Sequence, residues 1–226
     1  MDMNFDLNLL KNKNILITGA SNGIGKSLSE NLSKYGANVI MLSRNENALD
    51  AIYDSLKEKY KTAPCILKCD LENLDDKKSQ EIANIISKNY KGLDSVIHNA
   101  AILEKMSDIE SFDTQTWNKV MRVNLTSAFI LSKYLIPLMK SSPTPRIIFT
   151  TSSLGKKAKA FWGAYSVSKS GVNALSNILS DELESISNIK IFNFDPKATQ
   201  TNMRALAYPA EAVSYTHLTL PTILLV

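Results

Sequence analysis

Short apolar runs alternate with longer amphipathic stretches along most of the chain. Six runs are rich in Ile, Val, Leu and Phe and are bounded by turn-forming or charged residues, as buried parallel strands are. They are NILIT, NVIML, APCILKC, LDSVIHN, RIIFTT and IKIFNF. Apolar residues three and four positions apart predict helices in GIGKSLSENLSKYG, NENALDAIYDSLKEKY and LDDKKSQEIANIISKNY. This repeated strand–helix–strand order predicts an α/β fold, a single doubly wound parallel-sheet Rossmann-type domain.

A later stretch, TWNKVMRVNLTSAFILSKYLIPLMK, carries more apolar positions than one stripe of a helix can hold. Such a helix is covered on two sides. It either lies centrally between the sheet and loops, or its outer face packs on a second subunit. We favour the second interpretation, both here and for the helix predicted from Ala164 to about Ile186, and so expect a homo-dimer or homo-tetramer formed through these two helices.

Composition and charge narrow the classes of partner. A chain of 226 residues with 44% apolar residues can bury one sizeable core. The net charge of +4 is mild and the lysines are spread along the chain, which favours an anionic small molecule over nucleic acid. Asp2 and Asp6 lie where a secretory signal carries positive charge, and no run approaches the roughly 20 apolar residues that span a bilayer. We therefore predict a cytoplasmic protein without a membrane span.

The cysteines and histidines do not predict a disulfide or a metal site. Cys65 and Cys69 are four residues apart in a predicted strand, which would place their α-carbons roughly 13 Å apart, beyond disulfide reach. His98 and His217 are distant in sequence and have no matching ligands nearby. We expect reduced thiols and no metal.

The stretch ITGASNGIGKS overlaps two types of nucleotide-binding loop. Numbered from Ala20, it lacks the first glycine of the triphosphate loop G-x-x-x-x-G-K-[ST], and no strand ends in the aspartate that would bind magnesium. Numbered from Thr18, it is T-G-x-x-x-G-x-G, which brings a dinucleotide pyrophosphate to the start of a helix. The dinucleotide interpretation is favoured, with glycines at Gly19, Gly23 and Gly25.

The end of the second predicted strand bears on cofactor choice. A carboxylate there would bind the adenosine ribose and repel a 2′-phosphate, whereas this chain has Ser43 followed by Arg44. An exposed surface arginine is the alternative. We favour a phosphate contact, and therefore NADP (NADPH) over NAD.

The stretch TTSSLGKKAKAFWGAYSVSKSG carries the candidate chemistry. Tyr165 and Lys169 are four residues apart and share one face of a helix. We expect the ammonium group to lower the pKa of the phenol and make it a general acid and base. Ser152 lies at the end of the preceding strand. The alternative is a lysine that extends past a half-buried tyrosine without catalytic function.

Taken together, TGASNGIG, CDL, HNAA, VN, SSLG and YSVSK resemble the short-chain dehydrogenase/reductase family over residues 10–205. FWGAYSVSK and TNMRALAYP are also similar to the YciK-type bacterial oxidoreductases within that family. The resemblance implies an NAD(P)-dependent oxidoreductase that transfers hydride between NADP(H) and a small-molecule carbonyl or alcohol. It also implies the catalytic tetrad Asn124, Ser152, Tyr165 and Lys169.

In the implied mechanism, Tyr165 protonates the carbonyl oxygen, Ser152 hydrogen-bonds the same oxygen, and Lys169 tunes Tyr165 and holds the nicotinamide ribose. Asn124 lies within an apolar helix, where it would bind a water in a proton relay or, alternatively, cap a neighbouring loop. A second class of function stays open, that of a cofactor-binding sensor or scaffold without turnover.

The resemblance also carries over the cofactor contacts. They are Thr18, Gly19, Ser21, Asn22, Gly23, Ile24, Gly25, Ser43, Arg44, Asp70, Leu71, Asn99, Ala100, Tyr165, Lys169, Pro196 and Thr201. Ala101 and Lys197 stand where the family usually has glycine, so each is expected to be strained if its position requires positive φ. His98 replaces a common asparagine and is interpreted as lining the pocket.

The sequence changes character after AYPAE. We expect residues 1–212 to form the NAD(P)-binding domain and residues 213–226 to be an atypical, non-native tail. The family's seventh strand would then be lacking, and the sixth strand would have an exposed edge.

Overall fold

The computed structural model describes residues 6–209, which contain one six-stranded parallel sheet of order β3-β2-β1-β4-β5-β6. This is the strand order of doubly wound dinucleotide-binding folds, in which the chain reverses direction across the sheet between β1 and β4. The predicted Rossmann-type fold is therefore confirmed. The strands are β1 Asn14–Thr18, β2 Asn38–Ser43, β3 Cys65–Lys68, β4 Ser95–His98, β5 Arg146–Thr150 and β6 Lys190–Phe194.

Helices connect the strands and cover both faces of the sheet. Within residues 6–209 the α-helices are α1 Gly23–Lys34, α2 Glu46–Lys59, α3 Asp76–Asn89, α4 Thr114–Met121, α5 Ser127–Met139, α6 Gly163–Glu184 and α7 Asn202–Ala207. Two single 3₁₀ turns, Leu71–Asn73 and Ser153–Gly155, follow β3 and β5.

The sheet separates two hydrophobic cores because successive strand residues point to opposite faces. In β1, Ile15 and Ile17 join the core that includes Leu28 of α1 and Leu49 of α2. Leu16 belongs to the other core, on the side of α3 and α5. Burial of β1 on both faces explains why its sequence is an uninterrupted apolar run.

The long apolar helix predicted after β4 differs from the expectation. It is divided into α4 and α5 by a π-helical segment, Arg122–Thr126. Within this segment, Leu125 lies against α6 at Gly171, where a Cβ would come within 2.6 Å of a Leu125 methyl carbon. Most of the apolar residues of this stretch are buried or half-buried, whereas Phe129 is 52% exposed. The central position in the fold therefore explains most of the apolar excess.

Several predictions are only partly covered by the described region. Residues 213–226, and with them the expected loss of the seventh strand, lie outside it. In residues 6–209 no helix combines the length and apolarity needed to cross a bilayer, and the cytoplasmic location stays a prediction. Cys65 and Cys69 are both free thiols.

Candidate active site

The glycine loop after β1 packs directly against the end of β4. Gly19 has φ of +68°, and a Cβ at this residue would lie 2.9 Å from the Cα of Ala100. A Cβ on Gly25, in the first turn of α1, would overlap the carbonyl oxygen of Gly19. Both positions therefore require glycine, the first for its backbone conformation and both for the close approach of the backbone.

Helix α1 begins without a capping side chain, unlike the next helices. Asn45 and Asp75 cap α2 and α3 by accepting hydrogen bonds from backbone N–H groups at 3.1 and 2.7 Å. Asn22, at the same position of α1, makes no such bond within the described chain, and the first turn contains no acidic residue. The helix start thus presents backbone N–H groups of the kind that bind phosphate.

Thr18 and Asn99 tie the ends of β1 and β4 together. The Thr18 hydroxyl accepts hydrogen bonds from the backbone N–H groups of Asn99 and Ala100, each at 3.0 Å. The Asn99 amide donates to the Thr18 carbonyl at 3.1 Å. Thr18 therefore supports the floor of the site through contacts within the protein.

The loop after β6 lies against the glycine loop. A Cβ on Gly23 would lie 3.3 Å from the Thr201 methyl group, and Pro196 lies earlier in that loop. Ile24 is half-buried beneath the glycine loop. Predicted residues from the loops after β1, β4 and β6 are thus brought together.

A charged groove lies beyond the ends of β2 and β3. The Ser43 hydroxyl donates to Ser21 at 2.8 Å, which joins the glycine loop to the end of β2. Arg44 is exposed, and the Asp70 carboxylate accepts a hydrogen bond from the Glu72 N–H at 3.1 Å. The groove is lined by Arg44, Lys68, Cys69, Asp70, Asn73, Asp75, Lys77, Lys78 and Glu81. Leu71 is buried behind it.

Ser152, Tyr165 and Lys169 are neighbours in space. The side chains of Ser152 and Tyr165 are hydrogen-bonded, and the Ser152 oxygen also accepts a bond from the Leu154 N–H at 3.2 Å. Lys169 Nζ lies 5.8 Å from the centre of the Tyr165 ring. It donates to the carbonyl oxygen of Thr150, the last residue of β5, at 2.7 Å. Tyr165 and Lys169 therefore share one face of α6, as predicted. Strand β5 positions Ser152, which follows its end, and Lys169, which bonds to its last residue.

The expected lowering of the Tyr165 pKa is wrong for this structure. Burial raises the pKa of Tyr165, and the hydrogen bond from Ser152 opposes this without reversing it, while the negative charge of Asp195 raises the pKa further. Burial lowers the pKa of Lys169 to about 8. At neutral pH Tyr165 is therefore a protonated phenol, and Lys169 is still mostly charged.

Asn124 lies in the π-helical segment and holds the loop after β4. Its side-chain oxygen accepts from the Ile102 N–H at 2.8 Å, and its amide donates to the Ile102 carbonyl at 2.9 Å and to Ser168 at 3.1 Å. The loop-capping interpretation therefore describes the side chain. Of these bonded groups, only the Ser168 hydroxyl belongs to the YSVSK motif. The sequence analysis did not single out Ser168.

A small buried cavity lies behind Lys169. Its volume is about 10 Å³, near the smallest that admits one water, and its polar walls include Asn124, Lys169, His98 and Thr150. The Thr150 hydroxyl is buried there without a hydrogen-bond partner among residues 6–209. The cavity therefore leaves room for the predicted relay water beside Asn124, although the Asn124 side chain is bonded to the loop after β4.

The two substituted glycine positions differ. Lys197 has φ of +58°, so it occupies the left-handed region that favours glycine, whereas Ala101 does not have positive φ. The expected strain applies to Lys197 alone. His98 lines the cavity as predicted, lies 3.0 Å from the Ser132 hydroxyl and stacks on Phe149.

Comparison with known proteins agrees with this geometry. A short chain dehydrogenase family model matches residues 13–212. The uncharacterised oxidoreductase YciK of Escherichia coli K12 is 36% identical over 203 residues, covering 90% of this chain and 80% of YciK. An E. coli CFT073 short-chain dehydrogenase structure in complex with NADPH has 36% identity and a TM-score of 0.89, covering 92% of this chain and 86% of that one. A Shigella flexneri 2a structure in complex with NADP has 35% identity and a TM-score of 0.88, with the same coverage of 92% and 86%.

The chain belongs to the short-chain dehydrogenase/reductase family of NAD(P)-dependent oxidoreductases. Within the family it is similar to YciK. The dinucleotide interpretation of the glycine loop stays a prediction.

Proposed function

We propose that the chain transfers hydride between NADP(H) and a carbonyl or alcohol substrate, with Tyr165 as the general acid and base. One observation carries the proposal: the Ser152–Tyr165 hydrogen bond lies beside the buried Lys169 ammonium, at the sheet edge that also holds the glycine loop. The NADP and NADPH complexes of similar proteins support the choice of cofactor.

The residues present fit a dinucleotide phosphate. Gly19 and Gly25 let the loop pack closely at the start of α1, where the uncapped N–H groups would bind an anion. Arg44 is exposed at the end of β2, where it would pair with a 2′-phosphate. When bound, NADPH supplies the hydride that reduces the carbonyl carbon.

The protein supplies the proton and the positive charge. Because burial raises its pKa, Tyr165 carries a proton at neutral pH and can donate it to the carbonyl oxygen. The Ser152 hydroxyl, whose oxygen already accepts the Leu154 N–H, has its own hydrogen to donate toward the same oxygen. Lys169, anchored on the Thr150 carbonyl, stabilises the phenolate left behind.

A sensor without turnover is the second candidate, and Lys197 is the observation that favours it. This residue holds a glycine-type conformation next to Pro196 in the loop that approaches Gly23. Asp195 stabilises the bend by accepting from the Lys197 N–H at 2.9 Å. A loop displaced by this substitution would bind the cofactor without reducing a substrate.

Replacement of Tyr165 by Phe tests the proposal. The variant keeps the ring and lacks the proton, so NADPH affinity should be retained while hydride transfer to a panel of ketones, aldehydes and quinones falls by roughly 10²-fold or more. Tyr53→Phe, on α2 away from the site, is the matched control. Equal turnover by Tyr165→Phe and the parent would reject Tyr165 as the acid, and NADPH binding without turnover across the panel would favour the sensor.

We also propose that the outer faces of α5 and α6 form a homo-oligomer interface. Phe129 of α5 is 52% exposed, and Val167 and Ile178 of α6 are 45% and 53% exposed. Exposed apolar side chains on adjoining helices are typical of subunit interfaces. Phe129→Asp combined with Ile178→Asp should lower the mass measured by light scattering, whereas Ile85→Asp on α3 should not. An unchanged mass in the double variant would contradict this interface.

A further inference from the structure

Three aromatic rings lie side by side at the start of α6, and we call them the aromatic wall: Trp162, Tyr165 and Tyr208. The Trp162 ring is 5.9 Å from the Tyr165 ring in an edge-to-face arrangement. It is also 5.9 Å from the Tyr208 ring, tilted by 36°. The wall therefore extends directly from the phenol to which the proposed reaction assigns the proton.

Two further contacts hold the wall in place. The Arg204 guanidinium carbon lies 4.1 Å from the centre of the Tyr208 ring, which fixes that ring from α7. Trp162 forms a backbone bridge with Ser107 in the loop after β4. The wall thus joins three segments of the chain that are far apart in sequence.

The surroundings of the wall are apolar and partly strained. Ile109 and Phe161 are exposed large apolar side chains, and Phe161 has φ of +70°, a conformation that bulky residues rarely adopt. A Cβ at Gly163 would lie 2.6 Å from Ile109 Cδ1, so the glycine lets this side chain approach the helix start. Strained backbone and exposed apolar groups beside a reacting side chain are features of ligand sites.

From this juxtaposition we propose that the substrate class is aryl ketones and aryl aldehydes, with the aryl group bound against Trp162 and Tyr208. The inference rests on the proposed reaction, because it places the carbonyl oxygen at Tyr165. A substituent on that carbonyl carbon then extends along the neighbouring rings. Aromatic pairs at centroid distances of about 4.5–7 Å gain electrostatic attraction beyond area burial, so an aryl group is favoured over an alkyl group of equal size.

A matched pair of ketones tests this preference. Acetophenone and cyclohexyl methyl ketone carry six-membered rings of similar bulk, and only the first ring is aromatic. The parent chain should show a kcat/KM about three- to tenfold higher for acetophenone. Trp162→Leu should bring the ratio close to one while NADPH affinity is unchanged, and Trp162→Phe should keep an intermediate ratio and serves if Trp162→Leu does not fold.

A binding measurement separates this inference from the proposed reaction. Because the chain has two tryptophans, Trp117→Phe leaves Trp162 as the single fluorescent indole. With NADP⁺ bound, so that no reduction occurs, acetophenone should change the Trp162 fluorescence at lower concentration than cyclohexyl methyl ketone. This result together with no turnover of either ketone would support aryl binding at the aromatic wall and reject the proposed reaction. Equal kcat/KM for the two ketones, or a Trp162 signal that does not distinguish them, would reject aryl binding at the aromatic wall.

Discussion

Two regions of one sheet edge hold their polar groups in opposite ways. Beyond β2 and β3, an open groove is lined by the exposed Arg44 and the half-buried Asp70. Beyond β4 and β5, Asn124, Lys169 and Ser168 are almost fully buried and hydrogen-bonded within the protein. The first region leaves a charged side chain open to solvent, whereas the second holds its groups in fixed positions.

The difference has a direct energetic meaning. An exposed arginine keeps its hydration, so its substitution changes ligand affinity with little effect on folding. A buried ammonium or amide loses its hydration and depends on its internal partners. Substitutions in the buried region should therefore change both folding stability and function, and the following predictions compare the two regions.

Lys169→Met should have the largest effect. It removes the charge beside Tyr165, so turnover should fall by roughly 10²-fold or more. Because burial lowers the pKa of Lys169 to about 8, the charged form destabilises the fold, and the melting temperature should rise. Steady-state assays and thermal unfolding measure the two effects, with Lys133→Met on the exposed face of α5 as control. Parental turnover in Lys169→Met would contradict the assigned role.

Asn124→Ala should mainly reduce stability. The change leaves the N–H and carbonyl of Ile102 without their side-chain partner, at a cost of about 2–4 kcal/mol in the free energy of unfolding. The Ser168 hydroxyl loses one bond and keeps its bond to the Tyr165 carbonyl. Urea denaturation measures this. Asn118→Ala, on the exposed side of α4, is the matched control and should cost well below about 1 kcal/mol. Equal losses in the two variants would show that the loop contact contributes little.

Arg44→Ala should reduce affinity alone. Loss of a charge-assisted phosphate contact should weaken NADPH binding by about 1–3 kcal/mol and leave NADH nearly unchanged. The melting temperature should stay at the parental value, since Arg44 is exposed. Calorimetric titration with both cofactors tests this against Lys57→Ala on α2. Equal weakening of both cofactors, or tighter NADH binding by the parent, would reject the NADP preference.

His98 should make the buried region sensitive to acid. Burial lowers the pKa of His98 to about 3 from the model-peptide value of 6.5. As pH falls below 6.5 the unfolded chain binds a proton that the folded chain does not, so stability should decrease by up to about 1.4 kcal/mol per pH unit. Urea unfolding at several pH values between 7 and 5 should show a smaller slope for His98→Asn than for the parent. Identical slopes would mean that His98 is accessible to protons in the folded state.

Lys197→Gly should have the smallest effect. Lys197 has φ of +58°, so glycine should relieve strain and raise the free energy of unfolding by roughly 0.5–1 kcal/mol after the entropy cost of glycine. Lys156→Gly is the control, because Lys156 has φ of −100° and should gain nothing. A loss of stability in Lys197→Gly would show that the Asp195 contacts outweigh the strain.

Short-range spacing predicted most of the fold and the proximity of Tyr165 to Lys169. Apolar runs and amphipathic periods depend on local geometry, and right-handed crossovers restrict how such elements combine, so a doubly wound parallel sheet follows. The Tyr165–Lys169 helix face and the start of α1 at the glycine loop are likewise consequences of spacing along one element.

Features that depend on distant contacts were not predictable. Asn124 bonds to Ile102 and Ser168, which are 22 and 44 residues away in sequence, and no spacing rule joins them. The direction of the Tyr165 pKa shift was predicted wrongly because burial, a property of the packed fold, outweighs the hydrogen bond from Ser152. Ala101 and Lys197 show the same limit, since only one of two glycine substitutions has positive φ.

The π-helical segment between α4 and α5 restricts how this chain can change in length. A π turn holds a residue more than an α turn, and each α-helical residue rotates the following chain by about 100°. Deleting one residue within Arg122–Thr126 would turn the whole of α5 about its axis and move the buried Leu131 and Leu135 away from the core. Selection should therefore reject single-residue insertions and deletions in this segment, in contrast to the surface loops.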